Sequence, residues 1–126
     1  MDLLYFQFGG APYAIPLESV ADVAPAGRIH PVPLSPPAVL GLAERRGRAI
    51  AVIDLPFLLD DSPPPAQHTA HVMRLTGPLA GAALFVPAEV FTGRGTPATS
   101  GHVWIEGRLH ALLDPEALVK RAAEFD

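Results

Sequence analysis

The sequence predicts an all-β fold, mainly strands with a few short helices, on three observations. Fifteen prolines and eleven glycines among 126 residues are too many for a helical bundle, because both residue types break helix interiors. Between the breaks lie short apolar runs rich in β-branched and aromatic residues, such as Leu3-Leu4-Tyr5-Phe6-Gln7-Phe8 and Ala49-Ile50-Ala51-Val52-Ile53, which favour extended backbone. Glycine-bearing steps separate neighbouring runs, so most of them read as sequential hairpins. About eight to ten strands and two or three short helices are expected. Such strands close into barrels or pack as sheets to hide their edges.

From the N-terminus, residues 3–16 form a first hairpin about Gly9-Gly10, closed by Pro16. Leu17, Val20, Ala21 and Ala24 recur at spacings of three and four, which predicts one short helix over 17–24. Residues 28–38, RIHPVPLSPPA, hold four prolines. Each fixes its own φ and steers its predecessor away from helix, so this stretch runs extended or in turns. In residues 39–55, VLGLAERRGRAIAVIDL, two apolar runs flank Glu44-Arg45-Arg46-Gly47-Arg48. Gly47 can take the positive φ of a tight reversal, which makes this a hairpin with its charges at the turn.

Leu55–Leu59 suits one helical turn, with Pro56 tolerated at its start. Residues 60–67, DDSPPPAQ, read as a surface loop. Residues 70–75 and 79–86 flank Thr76-Gly77-Pro78 as a further hairpin, and 92–101, TGRGTPATSG, read as a loop. Val103-Trp104-Ile105 and residues 109–113 make a last hairpin about Glu106-Gly107-Arg108. Asp114-Pro115-Glu116 opens a terminal helix: aspartate caps it, proline takes its first position and glutamate complements the positive end of its dipole. Leu118, Ala122 and Phe125 give that helix an apolar stripe.

With 49% hydrophobic residues and a mean hydropathy of +0.28, the chain has the apolar content of a folded domain. No apolar run approaches the roughly 18 residues of a membrane span, and Asp2 stands where a signal peptide carries positive charge. A soluble, cytoplasmic protein without direct membrane insertion is expected. Zero cysteines exclude disulfides and thiolate metal sites. Nine basic against 13 acidic side chains give a net charge of −4, which argues against a nucleic-acid partner.

Chemistry finds little to stand on. His68 and His71 are three apart, but a proline-rich loop runs into a strand there, so they share no helical face and show no zinc spacing. His30, His102 and His110 read as exposed or half-buried side chains. No serine sits in a nucleophile elbow, and Asp54 and Asp114 read as caps of the turns that follow them. Gly93-Arg94-Gly95 lacks the strand–loop–helix setting of a phosphate loop. No catalytic residue, cofactor or metal is expected, which leaves binding. Arg46 then has two readings: a solvated turn, or an interface cation presenting its planar fork to a partner's carboxylate.

An ordered set of motifs points further. Tyr13-Ala14-Ile15-Pro16-Leu17 is followed by Val20 and Asp22-Val23, then by Pro36-Pro37, Gly41, Arg46-Gly47 and Ala51-Val52-Ile53-Asp54-Leu55. The far end carries Gly101-His102-Val103-Trp104-Ile105-Glu106-Gly107-Arg108 and Leu112-Leu113-Asp114-Pro115-Glu116-Ala117-Leu118. This order and spacing resembles the CheW-like domain family over essentially the whole chain.

The resemblance implies a single domain over residues 1–126, made of two packed five-stranded SH3-like β-barrels with both termini in one of them. It implies a non-enzymatic adaptor in bacterial chemosensory signalling. Its partners would be the regulatory domain of a CheA-type histidine kinase and the tip of a methyl-accepting chemoreceptor. By matched positions, Leu17, Val20, Asp22, Gly41 and Arg46 would lie in or near partner-binding surfaces, with Arg46 paired to a carboxylate such as Asp22 or holding the receptor groove. Three features depart from the family pattern: Glu44-Arg45 where Asn-Leu is usual, Val86-Pro87 in place of a Val-Asp step, and a short stretch from Phe91 to Gly101. The other reading of the sequence is a small-ligand or sensor barrel that uses the groove between the barrels as its pocket.

Overall fold

β1 (Asp2–Phe8) and β2 (Ala11–Pro16) pair antiparallel from Leu3↔Pro16 to Phe8↔Ala11, the hairpin expected of their β-favouring residues about Gly9-Gly10. The structure, a computed structural model, describes residues 1–61 and 70–124. Residues 62–67 of the expected loop, His68 and Phe125 lie outside the described residues. The C-terminal half supplies the rest of this first sheet: β8 (Phe91–Arg94), β9 (Thr96–Pro97), β10 (His102–Ile105) and β11 (Arg108–Leu112). The strand order is β8-β1-β2-β11-β10-β9, with β2 and β11 parallel and the other pairs antiparallel. Gly95 alone separates β8 from β9, the two ends of that order. One run of chain thus follows both edges and curls the sheet onto itself.

The middle of the chain builds a second sheet from β3 (Val20–Pro25), β4 (Val39–Arg45), β5 (Arg48–Asp54), β6 (His71–Leu75) and β7 (Ala82–Val86). Its order is β3-β6-β7-β5-β4, with only β5 and β7 parallel. β3 and β4 are its two ends, yet Asp22 of β3 reaches Arg45 of β4 at 2.9 Å. This sheet too has brought its edges together. The expected pair of small barrels is present, one of five strands and one that adds the two-residue β9 to five.

Alternation along the strands distributes side chains among three cores. Leu3, Ala14, Val103 and Ile105 fill the first barrel, and Ile50, Val52, Val72 and Ala83 fill the second. The opposite faces of the same strands meet between the sheets, where Leu4, Phe6, Ile15, Ile53, Met73 and Leu84 form a shared core. α1 (Leu55–Leu59) adds Leu55 and Leu58, and α2 (Pro115–Glu124) adds Leu118 and Ala122. Each such fully buried large side chain contributes about 2 kcal/mol of transfer free energy. The Glu116 backbone N–H donates to Asp114 Oδ1 at 3.1 Å, the expected N-terminal cap of α2.

Two expectations are corrected. The helix predicted over 17–24 is a 3-10 turn, Leu17–Ser19, followed by β3. Pro16 and Pro25 bracket a segment too short to hold a helix by itself, while pairing with β6 from Val20↔Leu75 to Pro25↔His71 satisfies its backbone. A register shift between Val20 and Asp22 leaves Ala21 unpaired and exposed. That extra residue breaks the period of two and leaves a spacing that reads as helical. The loop expected over 92–101 contains β8 and β9 instead. A Cβ at Gly93 would stand 2.9 Å from Tyr5 Cε1, and one at Gly95 would stand 2.7 Å from Leu3 Cδ1. These glycines admit close packing against β1 where the sequence read as a loop.

Candidate partner-binding surface

Asp22 organises a polar corner of the second barrel. It stands opposite Arg74 in the β3–β6 ladder, and its Oδ2 accepts from Arg74 Nε at 3.0 Å and Nη2 at 2.9 Å. Its Oδ1 accepts from Arg45 Nη2 at 2.9 Å. One carboxylate therefore holds two guanidiniums and joins the two edges of the sheet. All three side chains are about a quarter exposed, between 22% and 30%. Burial alone would raise the Asp22 carboxyl, but the Arg74 hydrogen bonds and the charges of Arg45 and Arg74 outweigh it and hold it below the ordinary carboxylate range.

The five expected site residues divide by role. Leu17 lies on the 3-10 turn, 40% exposed, beside a shallow cavity of about 330 Å³ that also touches Met1, Asp2 and Pro16. Val20 is half-buried against the shared core. Arg46 and Gly47, at φ 52° and 77°, form the two-residue turn between the last ladder pair, Arg45↔Arg48. Both positive φ values mark a type I′ reversal, which leaves Arg46 exposed at the tip.

The pairing of Arg46 with Asp22 implied by the family resemblance is made instead by Arg45 and Arg74. Arg45 is the last paired residue of β4, whereas Arg46 already belongs to the turn. Gly41 is buried, with φ at 150°. His30 and Leu42 exchange both backbone hydrogen bonds at 2.8 Å, and a Cβ on Gly41 would lie 2.2 Å from the His30 carbonyl oxygen. Gly41 thus shapes the face from inside. Reading 17–24 as helix hid Arg74, because only the β3–β6 pairing puts it opposite Asp22.

A second polar clamp ties the barrels together. The Tyr13 hydroxyl donates to Asp61 Oδ2 at 2.5 Å, and the Gly10 N–H donates to Asp61 Oδ1 at 2.9 Å. Burial, the Asp61 hydrogen bond and the Asp61 charge all push the Tyr13 hydroxyl well above the usual tyrosine range. Asp54, before α1, titrates above the ordinary carboxylate range because of its burial, partly offset by the Phe57 backbone N–H. His71 Nδ1 donates to the Ala88 carbonyl at 2.8 Å, and the buried His110 donates through Nδ1 to the Arg108 carbonyl at 3.0 Å. Among the described residues, no three His, Asp or Glu side chains are grouped to hold a metal. No helix among them is long and apolar enough to cross a membrane.

Two small closed β-sheets around a common core, one sewn shut by an aspartate between two arginines, define a double-barrel β protein whose polar clusters serve its architecture and leave a charged hairpin facing solvent. The family comparison is more specific: the CheW-like domain model matches residues 2–86, and the chain belongs to the CheW-like domain family. That span covers β1 to β7 and every expected site residue. Among solved structures, the crystal structure of scaffolding protein TtCheW from Thermoanaerobacter tengcongensis is similar, with a TM-score of 0.74 at 19% identity over 90% of this chain and 88% of that one. The two share the fold. No curated protein sequence matches the chain.

Proposed function

We propose that this chain, acting as one module over residues 1–126, is a non-enzymatic adaptor that couples a chemoreceptor tip to the regulatory domain of a CheA-type histidine kinase. Membership of the CheW-like family supports it, as does a neighbour in fold whose title calls it a scaffolding protein. The observation that carries the reading is a preformed face. Asp22 fixes the arginine hairpin against the strand that leads from the exposed Leu17, so a partner meets a surface already ordered, at little entropic cost. Receptor tips and such kinases meet in the cytoplasm, which is where this reading places the protein. Phe6, Ile15, Leu55, Met73 and Leu84, all buried, occupy the space between the barrels that a ligand-sensing protein would need.

Calorimetric titration with the purified kinase regulatory domain and with the receptor tip from the same genome tests the proposal. Binding to at least one is expected, and no measurable binding to either would overturn it. Arg46→Glu is expected to weaken that binding while Tm moves by only a few degrees, since an exposed substitution away from buried features changes stability by about 0.5 kcal/mol or less.

A further inference from the structure

Arg45, Arg46 and Arg48 of the β4–β5 hairpin and Arg74 of β6 line one open groove of about 450 Å³, completed by Ala80 and Gly81. Asp22 holds Arg45 and Arg74 and so neutralises one of the four positive charges. Among the described residues, no carboxylate lines the groove. Among the described residues, none forms an ion pair with Arg46 or Arg48. Three positive charges stand uncompensated in one concavity of a chain whose net charge is −4.

The ladder register makes the arrangement more telling. Arg45 and Arg48 are directly opposite in the antiparallel pair, and like charges in that position destabilise a sheet. Arg46 follows at the turn, exposed, while Asp22 pairs with Arg45 and Arg74 instead. The chain holds these groups together against their mutual repulsion, and an anion between them would convert that repulsion into binding.

The kind of anion follows from what else lines the groove. Among the described residues no aromatic ring is there to stack a base, and arginines confined to one small groove are too few to track a nucleic-acid backbone. Guanidinium forks match carboxylates two bonds at a time. We propose that the groove docks an acidic segment of a partner protein, with neighbouring Asp or Glu side chains taken by Arg46, Arg48 and the outer edge of Arg45. The proposal rests on the adaptor reading for the identity of the partner, and on the groove alone for the chemistry.

A fluorescein-labelled hexaglutamate peptide is the probe, followed by anisotropy at low and high salt. Wild-type protein is expected to bind it, more weakly as salt rises. The double variant Arg46→Glu/Arg48→Glu is expected to lose roughly tenfold or more in affinity. Arg94→Glu, an exposed charge on the other barrel, is expected to bind like wild type. Absence of peptide binding overturns the proposal, as does equal loss in the Arg94→Glu control, which would signal general charge attraction. Stronger competition by inorganic phosphate or an oligonucleotide than by unlabelled hexaglutamate also overturns it, assigning the groove to another anion. The same proteins titrated with the kinase regulatory domain and receptor tip separate the two readings. Partner binding that hexaglutamate neither shares nor competes with refutes the groove and leaves the adaptor. Peptide binding without either partner refutes the adaptor and leaves the groove.

Discussion

Gly41→Ala adds one methyl group at a place where the backbone leaves no room for it. The new Cβ would stand 2.2 Å from the His30 carbonyl oxygen, 2.6 Å from its carbon and 2.9 Å from the Pro31 nitrogen. No flexible side chain can swing aside, because all three neighbours are backbone. To reach ordinary contact the His30–Pro31 segment must retreat by about 1 Å. That movement breaks the two hydrogen bonds between His30 and Leu42, both 2.8 Å, at about 1 kcal/mol each. The φ of 150° adds about 1–3 kcal/mol for any residue with a side chain. The sum, about 3–5 kcal/mol, is a large part of the roughly 5–15 kcal/mol that holds a domain of ordinary stability. In thermal denaturation followed by circular dichroism, Tm is expected to fall by about 10–20 °C. A variant melting within about 3 °C of wild type would refute the close approach, and with it the view that Gly41 shapes the surface from within.

Asp22→Asn keeps the shape of the clamp and removes its charge; the urea midpoint at neutral pH is expected to fall, by about 1–2 kcal/mol in stability. Because the wild-type carboxyl is held below its ordinary range, its contribution is present above the unfolded pKa and is lost as pH falls through the folded one. The gap between wild type and variant should therefore close in acid, and a constant gap from neutral pH down to pH of about 2 would contradict the clamp. Tyr13→Phe works at the other end of the scale. The folded state raises the hydroxyl's pKa, so the stability it lends is complete below about pH 10 and declines above it; in alkaline urea titrations the phenylalanine variant should lack that decline. Leu34 is fully exposed at φ 64°, behind Pro33 in a turn closed by the Ser35 N–H to the Val32 carbonyl at 3.3 Å. Glycine or asparagine suits that position of a type II turn, so Leu34→Asn should raise stability by about 0.5–1 kcal/mol, and a fall in Tm would show that the leucine is held by something else.

Hairpins were the legible part of the fold because their signals are local. Gly9, Arg46-Gly47 and Glu106-Gly107 carry positive φ where the chain reverses, and the flanking apolar runs favour extended backbone. What joins the hairpins into barrels is not local. The parallel contacts of β2 with β11 and of β5 with β7 link residues far apart in the chain, and no composition or periodicity announces them. β3 failed for a narrower reason. One bulge at Ala21 shifts a strand's side chains by a single residue, and over six residues that is enough to imitate the spacing of a helix.

The candidate site shows the same division. The exposed arginine turn was legible, since a charged step between apolar strands has nowhere to sit but the surface. Which arginine meets Asp22 was not, because that depends on strand register. A residue at the tip of a two-residue turn lies beyond the ladder and presents itself outward, while the residue just before it is still held by the sheet. Arg45 accordingly belongs to the architecture, closing the barrel through Asp22, and Arg46 is left exposed at the turn. The motif that marks Arg46 by its place before Gly47 thus marks the residue that the fold does not use, with its structural work carried by neighbours that the motif does not name.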